Sequence, residues 1–107
     1  MNLGLKSEDL EQIAEVLARF DSINKAVVFG SRAKGQFKRG SDIDLAVVGD
    51  KIGFKELCKI GAMLDELDLP YEIDVISYDR IESQALKEHI DRVGVNFDIP
   101  KPNKQKA

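Results

Sequence analysis

With 107 residues, 43% hydrophobic and 33% charged, the chain has the size and composition of one globular domain, and it is too short for a core plus a separate substrate-binding domain. Its net charge of −3 offers no bulk attraction to nucleic acid or to an anionic membrane surface. A single cysteine forms no internal disulfide, no Cys/His cluster points to a structural zinc, and MNLGLKSEDLEQ turns acidic before any long apolar run, so the expectation is a cytoplasmic protein without signal peptide or membrane span.

From Ser7, SEDLEQIAEVLARF predicts an amphipathic helix. Ser7 is a candidate N-cap, Glu8 and Asp9 place acids in the first turn, and Leu10, Ile13, Ala14, Leu17 and Phe20 recur at helical spacing. Asp21-Ser22 and Asn24-Lys25 break the period, and residues 26–29 read as a short buried strand ending at Gly30. A basic, glycine-punctuated loop occupies 32–41. Ile43–Val48 is the second strand, with Ile43, Leu45 and Val47 on one face and Asp42, Asp44, Ala46 and Val48 on the other. After a turn at 49–53, Phe54, Leu57, Cys58, Gly61 and Leu64 form the apolar stripe of a second long helix, with Gly61 expected where helix and sheet approach closely. Pro70 closes that unit. Residues 71–76 alternate as a third strand, with Tyr71, Ile73 and Val75 opposite Glu72, Asp74 and Ile76. A last helix over 81–93 turns Ala85, Leu86, Ile90 and Val93 inward, with Gly94 as its C-cap. The fold class is α+β (α/β), a small mixed β-sheet with helices packed on one face. A single domain spans 1–98, and 99–107 is a polar, flexible tail.

The chemistry concentrates in FGSRAKGQFKRGSDIDLAV, residues 29–47. Acids two apart on a strand stand about 6.5 to 7 Å apart on one face, and a third on a neighbouring strand is offset by about 4.8 Å. Asp42, Asp44 and Asp74 meet that description if their strands are neighbours. Their repulsion is relieved by hard cations between them, and oxygen ligands with open positions suit Mg²⁺ or Mn²⁺. Gly30 allows close backbone approach, and a helical turn from Ser31 aims N–H groups and a hydroxyl at an anion, with Arg32 and Lys34 adding positive charge. Each part has a plainer reading. Gly-Ser is commonly a turn, Asp-x-Asp a solvated cap, and Asp74 is also explained by an edge strand or an open sheet face. The conjunction of all three is what points to a site.

Gly30-Ser31, ten intervening residues and Asp42-Ile43-Asp44 resemble the signature of the DNA polymerase β-like nucleotidyltransferase superfamily. The helix, strand, GSRAKG, strand arrangement is similar to its minimal nucleotidyltransferase (MNT) branch, over nearly the whole chain to residue 98. The resemblance implies that fold and a two-metal nucleotidyl transfer using Mg²⁺, or Mn²⁺, and ATP. It implies that Asp42 and Asp44 bind the metals, that Asp74 is the third carboxylate and helps activate an acceptor hydroxyl, and that Gly30 and Ser31 hold phosphates. Arg32 matches the basic position that follows GS, while Lys34 stands where many relatives have arginine. It further implies a small helical HEPN partner, with the MNT member acting as an antitoxin that moves AMP to a tyrosine of the HEPN ribonuclease toxin.

Other residues carry less. His89 is expected to be a partly buried or surface histidine beside Ile90 rather than a general base, Cys58 to be a small core residue, and Tyr71 and Tyr78 to serve packing or partner contact. Lys38 and Arg39 read as an exposed basic loop. Ala46, Val48 and Ile76, apolar beside the acids, hint at a surface covered by a partner. The competing functional reading is an interaction module that senses nucleotide or masks its partner without catalysis. Direct nucleic-acid binding, and with it polynucleotide elongation, is disfavoured by the acidic charge.

Overall fold

A computed structural model describes residues 4–35 and 42–99, with Ser31 described in its backbone alone. The elements are α1 (Ser7–Ala18), β1 (Lys25–Phe29), α2 (Ser31–Lys34), β2 (Ile43–Val48), α3 (Phe54–Asp65), β3 (Ile73–Ser77), a single 3₁₀ turn at Tyr78–Arg80, α4 (Gln84–Val93) and β4 (Val95–Phe97). Four strands form one sheet in the order β3-β2-β1-β4. β1 runs antiparallel to both β2 and β4, whereas β2 and β3 are parallel, as a crossover through α3 allows. The expected small mixed sheet with helices is therefore the observed one.

Alternation along the strands sorts the apolar side chains into two layers. Ala26 and Val28, Ile43, Leu45 and Val47, and Ile73 face the main core, where α1 contributes Ile13, Ala14, Val16 and Leu17 and α3 contributes Ile60 and Leu64. Each fully buried aliphatic side chain there stabilises the fold by about 1.5 to 3 kcal/mol. The opposite face is covered only in part. Ile90 of α4 packs there on Val27 and Ala46, flanked by Phe29, Val48, Ile76 and Leu86. Ala46 is buried beneath the chain's own last helix, while Val48 and Ile76 pack beside it and stay partly exposed.

Three local expectations also shift. Ser7 is the first helical residue of α1 and not its cap; Lys6 holds that position, and its carbonyl accepts from the Leu10 N–H at 3.0 Å. On α3 the buried line is Ile60 and Leu64 with Leu57 partly covered, while Phe54 and Cys58 are exposed. Phe54 and Cys58 lie off the line of α3 that packs on the core, whereas Leu57 in its first turn is partly buried there. The last helix begins at Gln84, where Ser83 accepts the Leu86 N–H at 3.2 Å, and leaves Ala85 exposed. Gly94 is its C-cap but keeps a negative φ of −63°, and the chain goes straight into β4. A Cβ at Gly94 would collide with the Ile90 carbonyl and the Val27 side chain, so glycine is needed here for closeness rather than for a left-handed turn. Residues 100–107, expected to form the tail, lie outside the described residues.

Candidate active site

β1 delivers the chain to Gly30, whose φ of +79° favours a residue without a Cβ. A Cβ at Gly30 would also strike the carboxylate of Asp44. That collision places the Gly30 corner against Asp44, which is opposite Phe29 in the antiparallel β1–β2 register. From Gly30 the backbone enters α2, with the Lys34 N–H donating to the Gly30 carbonyl at 3.2 Å. Lys34 is exposed. The side chain of Ser31, and Lys38 and Arg39, lie outside the described residues.

Asp44 and Asp74 are direct partners across the parallel β2–β3 pair, and alternation puts both on the face that α4 covers only in part. Glu72, one residue before β3, is exposed and accepts the Ile43 N–H through its carbonyl at 2.8 Å, fixing the register at the start of both strands. β3 is an edge strand, so the plainer explanation of Asp74 as a solvated edge residue is available structurally. Asp44 carries the stronger signal. It is half-buried, and its carboxyl is held above the ordinary carboxylate range by burial first, then by the charges of Asp74 and Asp42. The three acids therefore feel one another.

No three His, Cys, Asp or Glu side chains among the described residues already converge as a closed ligand set. Asp42 and Asp74 are both exposed, while Asp44 is partly buried. Three hard oxygen donors on one open face, one of them made reluctant to ionise by burial first and by the other two acids second, are the donor chemistry that a divalent cation satisfies.

Arg32 departs from the expected arrangement. Its side chain is 2% exposed and does not reach out to the open face. The guanidinium lies 5.1 Å from the centre of the Tyr71 ring and donates to the Gly4 carbonyl at 3.5 Å. Tyr71 in turn donates its hydroxyl to Asp9 of α1. No sequence pattern announced this burial, because an arginine in a basic loop reads as exposed. His89 stands at the edge of the Phe29 ring, with centroids 6.4 Å apart, close to the strand end that leads to Gly30. Tyr78 donates to the exposed Asp91 at 2.8 Å, at the far end of β3 from the acids.

The chain belongs to the polymerase beta nucleotidyltransferase family, which matches residues 11–97, so its substrate class is a nucleotide. It is 31% identical over 94 residues to a Haemophilus influenzae protein named "Probable protein adenylyltransferase MntA", covering 87% of this chain and 82% of the relative. Its fold is shared with a toxin-antitoxin structure containing AMP-PNP, at a TM-score of 0.71 and 19% identity, over 91% of this chain and 78% of that one. It is shared also with a chain of the complex of a tri-AMPylated Shewanella oneidensis HEPN toxin with its MNT antitoxin, at a TM-score of 0.68 and 15% identity, over 95% and 79% of the two chains. Among the described residues no helix is long and apolar enough to cross a membrane.

Proposed function

We propose that this chain is an antitoxin-type protein adenylyltransferase that moves AMP from ATP to a tyrosine hydroxyl of a small helical HEPN partner in the cytoplasm. The single observation that carries the reading is the pairing of Asp44 with Asp74 across β2 and β3, with the Gly30 corner set directly against Asp44. The relative from Haemophilus influenzae supports the reaction class, and the AMPylated toxin in the Shewanella oneidensis complex supports the acceptor.

Asp42, Asp44 and Asp74 would hold two divalent cations, Mg²⁺ or Mn²⁺, which when bound supply charge neutralisation and acidify an acceptor hydroxyl. The backbone of the Gly30 corner and the exposed ammonium of Lys34 would hold the triphosphate. The acceptor oxygen forms a bond to the α-phosphorus, the bond from that phosphorus to the β-bridging oxygen breaks, and pyrophosphate leaves with both electrons. The hydroxyl proton passes to a carboxylate of the triad or to water. Asp74, exposed at the sheet edge, is the acid an acceptor on another protein can reach.

The test is the intact mass of the HEPN partner after incubation with this chain, ATP and Mg²⁺. Wild type adds AMP, and Asp42→Asn or Asp44→Asn lowers the rate by about a hundredfold or more, the scale expected when charge stabilisation is removed from a transition state. Inhibition of the partner with no added mass would instead establish masking.

A further inference from the structure

Arg32 is a buried cation on a four-residue helix, and this is the observation that the catalytic scheme leaves unused. An isolated single turn does not hold itself, because helix nucleation fixes several residues for one hydrogen bond. α2 must therefore be held by tertiary contacts. Among its described side chains Ala33 is half-buried, Lys34 is exposed, and Arg32 alone is fully buried. Burying a guanidinium is costly unless it is matched, and it is matched here by the Tyr71 ring and the Gly4 carbonyl.

Of these two partners, Gly4 lies just before α1 and Tyr71 just before β3, the strand that carries Asp74. Tyr71 lies two residues before β3 and three before Asp74; its hydroxyl is bound to Asp9 in the first turn of α1. That hydroxyl is kept protonated, since burial and the bond to Asp9 push its pKa well above the ordinary tyrosine range despite the opposing pull of Arg32. Tyr71 is thus a fixed post, tied to α1 at its tip and stacked under Arg32 on its face.

We propose that Arg32 is a positioning residue, which through Tyr71 locks the Gly30–Ser31 corner at a fixed distance from Asp74 and so sets the gap into which the nucleotide's phosphates fit. The inference rests on the nucleotidyltransferase reading and assigns Arg32 no contact with phosphate. Its charge is spent inside the fold, and the phosphate-facing charge on α2 is left to Lys34.

The test measures the dissociation constant of AMP-PNP with Mg²⁺ by calorimetry, the KM for ATP and the kcat of AMP transfer, each below the melting temperature of the variant used. Arg32→Met and Tyr71→Leu are each expected to raise the dissociation constant and KM about tenfold while kcat changes less, and the double variant is expected to be no worse than either single one. Tyr71→Phe, which keeps the ring under Arg32 but cuts the tie to Asp9, is expected to weaken binding less than Tyr71→Leu does. A lowered melting temperature with an unchanged dissociation constant in either single variant would make the contact merely structural and overturn the proposal. Loss of binding in Arg32→Met with normal binding in Tyr71→Leu would overturn it differently, by showing that Arg32 meets the phosphates itself. Should Arg32→Met fail to fold, Tyr71→Leu with wild-type binding is still sufficient to refute it. Wild-type chain that binds no AMP-PNP would overturn the nucleotidyltransferase reading and this inference together, whereas wild-type binding with unperturbed variants overturns this inference alone.

Discussion

Asp44 is the residue in which fold and chemistry are in open conflict. Its carboxyl sits half-buried beside two like charges, and its folded-state pKa lies above the unfolded value for burial first and repulsion second. The stability associated with the protonated acid is therefore fully present below the unfolded value of about 3.9 and is lost as pH rises through the folded value. Asp44→Asn removes that loss. In the absence of divalent cations the variant is expected to melt above wild type near neutral pH, with the difference closing as the pH approaches about 4. A variant melting at or below wild type at neutral pH would mean that the three acids do not strain the empty site. The same substitution slows transfer by about a hundredfold or more in the proposed reaction, so gain of stability and loss of activity should arrive together.

Among elements, α3 shows most clearly what periodicity conveys and what it leaves out. The strands and their faces were legible because alternation is local: Ile43, Leu45 and Val47 point to the core and Asp44 points away, as the sequence pattern requires. Helical stripes are less exact, since a stripe is wider than the surface that covers it, and Phe54, 65% exposed, lies outside that surface. β4 could not be read, because three residues after a capping glycine have no period of their own and acquire one only by pairing with β1. The burial of Arg32 was equally hidden, depending on a ring about forty positions away in the chain. The three acids were legible through their spacing, whereas their being neighbours depended on β3 pairing with β2. Gly61 offers an element-scale test. A Cβ there meets only Val75 at ordinary contact distance, 3.5 Å, so helix and sheet do not require glycine at this point. Gly61→Ala is expected to raise stability by about 0.5 to 1 kcal/mol in urea unfolding, through helix propensity alone. A loss of stability would show that α3 and β3 have less room than that contact allows.

For the whole molecule, the candidate site is a junction rather than a pocket: the Gly30 corner comes from the end of β1, Asp42 from the residue before β2, Asp44 from β2 itself, and Asp74 from an edge strand. A nucleotide with its cations would tie all of them together, and any ligand that binds only the folded chain stabilises it by mass action. At about a hundred times its dissociation constant, AMP-PNP with Mg²⁺ is expected to contribute about 2.7 kcal/mol, or a rise in melting temperature on the order of 10 °C for a domain of this size. The rise should vanish in Asp42→Asn and in Asp44→Asn. An equal rise in those variants, read by differential scanning calorimetry, would place the nucleotide somewhere other than on the acids.

The parallel register of β2 and β3 also governs how this chain can change length. Asp44 stands beside Asp74 because two strands pair in step, not because the intervening segment holds them there. Residues added in the connections on either side of α3 lengthen a loop at small entropic cost and leave the pair aligned. One residue added inside β2 or β3 rotates everything beyond it to the other face and drives an acid toward the core. An insertion tag or a spliced domain therefore belongs in the connections and not in the two short strands.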